Sequence, residues 1–171
     1  MTSSFPSTVR HITVNSPDGT SSFLDTPPPP TNSPNPLMQI SYIYSNPANF
    51  SIAENTDLKY HESAPTTGPI RSFAPAGAST CVVLDFAPNP TGEEGFMHRT
   101  TTLDYVFIMD GELELALDSG EKRIVRKGDV VLQRECMHSW KNISKTEPAR
   151  FAAVGLGTAG AVEGTMEFSK K

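Results

Sequence analysis

Two histidines and one aspartate carry spacing with chemical meaning. The chain has four histidines, His11, His61, His98 and His138. His98 opens an alternation of hydrogen-bonding side chains, His98, Thr100, Thr102 and Asp104. Side chains of an extended strand repeat every second residue, so these four share one face. The same face turns apolar at Val106 and Ile108, which aims it into an interior. Buried imidazole and carboxylate need partners, and a divalent cation is a good one. His138 supplies a second imidazole. Two histidines and one carboxylate suit Fe(II), Zn, Mn or Ni and leave coordination positions open for substrate or water. The expected metal ligands are therefore His98, Asp104 and His138.

Short strands must position such a set. Cys81–Phe86, Met97–Met109 (long or bent), Glu112–Leu117, Lys122–Arg126, Val130–Gln133, His138–Lys141 and Arg150–Leu156 read as strands, separated by glycine- and asparagine-bearing turns. No segment of helical length repeats every 3.6 residues. The expected fold class is all-β, a single barrel or sandwich. Ahead of it lie a possible hairpin, Val9–Val14 with Ser21–Leu24, and the run Pro27–Pro30, read as an extended connector. Gln39–Tyr44 is a further strand, residues 51–78 form a polar loop, and a short helical turn falls near Ala53–Leu58. The expected division is an arm over residues 1–36 and a barrel over 37–171.

The dense region resembles the cupin family. Gly92, His98, Thr100, Asp104 and Gly111 fall at the spacings of its first motif. Gly128, His138 and Asn142 fall nearly at those of its second, and 16 residues separate the two motifs. The match spans about residues 80–156. Met97-His98-Arg99-Thr100, Asp104-Tyr105, Gly128-Asp129-Val130-Val131-Leu132-Gln133-Arg134 and His138-Ser139-Trp140-Lys141-Asn142 resemble a small-cupin subgroup found in bacteria and in fungal secondary-metabolite clusters. The resemblance implies a jelly-roll β-barrel, a homodimer, and structural turns at Gly111, Gly128 and Asn142. Thr100 stands where the family's second histidine is usual, and Asp104 where glutamate is usual. The resemblance thus implies a metal site, with Zn, Fe(II) or Mn as the ion, reduced to three ligands.

Thr100, Thr102, Cys136 and Trp140 share parity with the histidines and are expected to line the pocket. Cys136 either touches the ion or is buried as an inert residue. Arg99 and Arg134 either clamp a substrate carboxylate or face outwards in ion pairs. The net charge of −5 excludes a generic nucleic-acid binder, and no apolar run is long enough to cross a membrane. Two cysteines, Cys81 and Cys136, are too few for a disulfide scaffold. With no signal-peptide pattern in the sequence, a cytoplasmic location is expected. The expected function is a metal-dependent lyase or isomerase step on a small oxygenated, polyketide-like metabolite. An Fe(II) oxidoreductase and a non-catalytic ligand binder are the alternatives.

Overall fold

The computed structural model describes residues 5–64 and 73–169. The loop expectation over residues 65–72 lies outside the described residues, as do the extreme ends of the arm and barrel. Thirteen strands are present among the described residues. β1 (Ile12–Asn15) and β2 (Ser21–Leu24) form a separate hairpin. β3 (Thr31–Asn35), β4 (Met38–Asn46), β5 (Ser79–Phe86), β7 (Thr102–Asp110), β10 (Val130–Arg134) and β12 (Ala149–Gly157) build a six-stranded antiparallel sheet in the order β10-β7-β12-β5-β4-β3. β6 (His98–Arg99), β8 (Glu112–Leu117), β9 (Lys122–Arg126), β11 (His138–Asn142) and β13 (Glu167–Phe168) build a five-stranded one in the order β13-β6-β11-β8-β9. Among the described residues one helix, α1 (Thr56–Glu62), sits between β4 and β5. The all-β expectation is met as two sheets that do not close into a continuous barrel.

Alternation builds the core. Met38, Phe86, Val106, Ile108, Phe151 and Ala153 of the larger sheet pack with Leu113 and Val125 of the smaller. Leu113 is fully buried.

The motif residues mark where the chain changes sheet. Gly111 joins β7 to β8, and Gly128 joins β9 to β10. Gly111 has φ of 72°, and a Cβ there would lie 2.6 Å from the carbonyl oxygen of Pro148, so this corner requires glycine. Asn142 ends β11, donating to the carbonyls of Ala87 and Glu147 at 2.9 Å each and accepting from the Ser144 amide at 2.9 Å. It pins the loop that returns the chain to β12.

Two differences from the sequence reading matter. The expected long strand over Met97–Met109 breaks at Thr100-Thr101, where β6 in one sheet hands over to β7 in the other. The proline-rich connector leads into β3, which pairs with β4 through an irregular register. Pro34 is tolerated there because β3 is an edge strand, where a missing N–H breaks no ladder.

Candidate active site

Two sheet crossings make the site. The bend between β6 and β7 carries His98, Thr100, Thr102 and Asp104 around one corner. The turn Glu135-Cys136-Met137, with Glu135 at φ of 47°, carries the chain from β10 to β11 and places Gln133 and His138 beside that corner. Register does the rest. Gln133 on β10 lies opposite Asp104 on β7, and His138 on β11 lies opposite His98 on β6.

The result is an interior cavity of about 220 Å³, smaller than the roughly 300–1,000 Å³ of drug-sized sites. His98, Thr100, Thr102, Asp104, Gln133 and His138 form its polar end. Elsewhere the wall is mainly apolar, with Ile40, Val82, Leu84, Phe86, Trp140 and Phe151 among its residues. Phe96, 41 % exposed, stacks at a tilt on His98, with ring centroids 4.8 Å apart.

The hydrogen bonds are mutually consistent. His138 Nδ1 lies 2.9 Å from the carbonyl oxygen of Cys136, so Nδ1 carries the proton and Nε2 the lone pair. That lone pair faces Gln133 Nε2 at 2.9 Å. The same amide nitrogen donates to Asp104 Oδ2 at 3.1 Å. Trp140 Nε1, which can only donate, bonds Gln133 Oε1 at 3.2 Å. Thr100 and Thr102 hydroxyls bond each other at 2.7 Å. His98 Nδ1 lies 3.3 Å from the Phe96 carbonyl oxygen, which leaves Nε2 as its lone-pair nitrogen.

Burial sets the charge states. Desolvation, then the neighbouring imidazole of His98, pulls His138 down to about 4. Burial also lowers His98, partly offset by its bond to Phe96. Asp104 is raised by burial, against hydrogen bonds from Thr102 and Gln133 that favour its anion. All three shifts favour the uncharged form.

The structure brings His98, Thr100, Thr102, Asp104, His138 and Trp140 to one cavity. His98 and His138 ring centroids are 4.3 Å apart. Cys136 is outside the lining and contributes only its backbone carbonyl. Arg99 and Arg134 are exposed and outside the lining. His11 packs against Phe23 on the arm, and His61 stacks on Tyr44, both away from this cavity. Gln133 is the functional candidate that the sequence reading does not single out. The signal for it is a polar residue at the inward parity of β10, two places after Val131.

Imidazole and carboxylate are the donors that a divalent metal takes. The ligand types are suitable, but the Gln133 amide stands between His138 Nε2 and Asp104 Oδ2 with its N–H groups turned on both. Among the described residues no group of three His, Cys, Asp or Glu is arranged to hold an ion. As arranged, the donor set does not fit a metal.

Two sheets that exchange strands at glycine corners, around a small apolar cavity with a polar end, define a jelly-roll. The chain belongs to the family of cupin-domain-containing proteins. It is 36 % identical over 167 residues to the cupin-domain-containing oxidoreductase virC of Hypocrea virens, covering 94 % of this chain and 81 % of that protein. It is 32 % identical over 157 residues to oryzines biosynthesis cluster protein J of Aspergillus oryzae, covering 89 % and 84 %. Other relatives are spanned over 53 % of their own length. The fold is similar to that of the polyketide cyclase RemF from Streptomyces resistomycificus, at a TM-score of 0.51 and 12 % identity, covering 84 % of this chain and 75 % of that one. No family model matches the chain. Among the described residues no helix is long and apolar enough to cross a membrane.

Proposed function

We propose that this protein is an enzyme that moves a proton on a small, largely apolar, oxygenated metabolite of polyketide type. The step is a non-redox isomerisation, dehydration or cyclisation. The observation that carries the reading is that the His98 imidazole and the Asp104 carboxyl share the polar end of an otherwise apolar cavity, where burial favours the uncharged form of each. An apolar carbon frame fits the wall formed by Leu84, Phe86 and Phe151, and its oxygens meet the polar end. His98 is the base, since Nδ1 is held by Phe96 and the Nε2 lone pair is left for substrate. His98 takes one proton from the substrate and Asp104, in its carboxylic acid form, gives one to it, and proton exchange with solvent then restores both groups. Gln133, itself bonded to His138, holds Asp104 in place. Positioned acid–base groups of this kind contribute about 10²–10⁴-fold in rate.

Candidate ketone- and enol-bearing aromatic compounds incubated with the protein in D₂O, without oxygen, test the reading. Deuterium incorporation or water loss by mass spectrometry is expected, falling by at least about a hundredfold in His98→Gln. Turnover that needs oxygen would overturn it. The second reading, an oxidoreductase, is supported by the names of several relatives, among them those from Hypocrea virens, Neurospora crassa and Aspergillus ruber. The oxygen arm of the same assay separates the two.

A further inference from the structure

The Gln133 side chain makes three hydrogen bonds at the centre of the site, and their polarity is over-determined. Trp140 Nε1–H has no acceptor capacity, so the Gln133 atom it meets at 3.2 Å must be the oxygen. Asp104 Oδ2 at 3.1 Å accepts from the nitrogen. His138 holds its proton on Nδ1 against the Cys136 carbonyl, so its Nε2, 2.9 Å from the same amide nitrogen, also accepts. The two amide hydrogens thus point at the two lone pairs that an ion bridging Asp104 and His138 would need. An ion at about 2.0–2.2 Å from both atoms would meet the positive end of the amide dipole. Turning the amide over would offer the ion an oxygen, but would then set the NH₂ group against the Trp140 N–H.

We propose that Gln133 is a positioning residue that takes the place of a cation. It satisfies Asp104 and His138 with neutral N–H groups and so keeps divalent metal out of this cupin pocket. Gln133 is near 5 % exposed, so water does not readily replace its bonds. Trp140 locks the amide, and Phe151, 5.1 Å from the Trp140 ring centroid, supports the indole in turn. Opposite register on neighbouring strands, Gln133 with Asp104, fixes the amide over the carboxyl. The inference concerns the pocket of the proposed function, but its test reads metal binding alone, so each can fail without the other.

The experiment is titration of the full chain with Co²⁺, then Zn²⁺, by calorimetry and by the visible absorption of Co²⁺. Wild type is compared with Gln133→Leu, which keeps the volume and removes the donors. Gln133→Leu is expected to bind Co²⁺ at least about tenfold more tightly, whereas loss of a residue that merely supports a metal site weakens binding 10–100-fold. Trp140→Phe, which unlocks the amide and keeps the ring packing, is expected to tighten binding by a smaller factor. It serves if Gln133→Leu fails to fold by circular dichroism. Wild type purified without added metal is expected to carry well under one equivalent. The proposal is overturned if wild type holds one equivalent through chelator dialysis, or if the variants that fold bind no more tightly than wild type.

Discussion

His138 is the side chain whose surroundings speak most clearly. It is 3 % exposed, its Nδ1 proton is committed to a carbonyl and its Nε2 accepts an amide N–H. Protonation would set a donor against a donor at Nε2. The group is therefore neutral down to about 4. Above pH 6.5 the imidazole is neutral folded and unfolded, and contributes no pH dependence. Between 6.5 and 4 the unfolded chain takes up a proton that the folded one refuses, so stability falls as pH drops. The loss is about 3 kcal/mol, levelling off below 4. NMR titration of the ring protons should find the His138 midpoint near 4, and His138→Gln should flatten the acid side of the stability curve. A midpoint near 6.5 would mean that the pocket is wet and the network loose. The sequence made His98, Asp104 and His138 legible, because parity and motif spacing need only a local strand. It placed Gln133 in a motif but gave it no role, because its three partners come from two sheets and only the crossing at Glu135 brings them together.

Elements decide how closely such groups approach. β12 runs beside β7, with Gly155 opposite Asp104. A Cβ at position 155 would stand 2.8 Å from Asp104 Oδ1 and 4.0 Å from Thr102 Cγ2. The missing side chain is the space into which the carboxyl leans. Gly155→Ala should push that carboxyl aside and lengthen its bond to Gln133. The clash is with the tip of a side chain, so the stability cost should stay within about 1 kcal/mol. Displacement of a reacting group by several tenths of an ångström should cost turnover at least about tenfold. Thermal melts and kcat measured on the same preparation check this, and a variant with normal kcat would remove Asp104 from the chemistry. At this scale the strands over Cys81–Leu156 were legible from alternation and glycine turns. β3 was not, because Asn32, Pro34 and Asn35 carry no strand pattern and form one only against the edge of β4. The break at Thr100-Thr101 was not, because the alternation of side chains continues through it.

Across the whole molecule, the described part of the arm, residues 5–36, folds back on its own chain and helps to close the cavity. Asn32 and Pro34 of β3 line that cavity. Arg10 donates to the carbonyl oxygens of Ile43 at 3.0 Å and Pro27 at 3.2 Å, and its guanidinium lies 2.7 Å from His61 Nε2 on α1. Arg150 of β12 bonds the Pro6 carbonyl at 3.2 Å while pairing with the buried Asp85 at 2.6 and 3.0 Å. The arm therefore ties β4, α1 and β12 together from outside. Deleting residues 1–36 would remove these ties and leave β4 as a bare sheet edge, a template for pairing with other chains. Three or four lost hydrogen bonds at about 1 kcal/mol each correspond to a melting point lower by roughly 6–16 °C in a chain of this size. Arg10→Ala alone removes the three Arg10 bonds and should give most of that lowering, and the deletion should exceed it because the pairing of β3 with β4 is lost as well. Calorimetry on the full chain, the point variant and the deletion gives the order, and light scattering on the deletion should show growth in mass as β4 edges pair. An unchanged melting point in the deletion would mean that the barrel stands without β3, and that the cavity wall at Asn32 and Pro34 is dispensable.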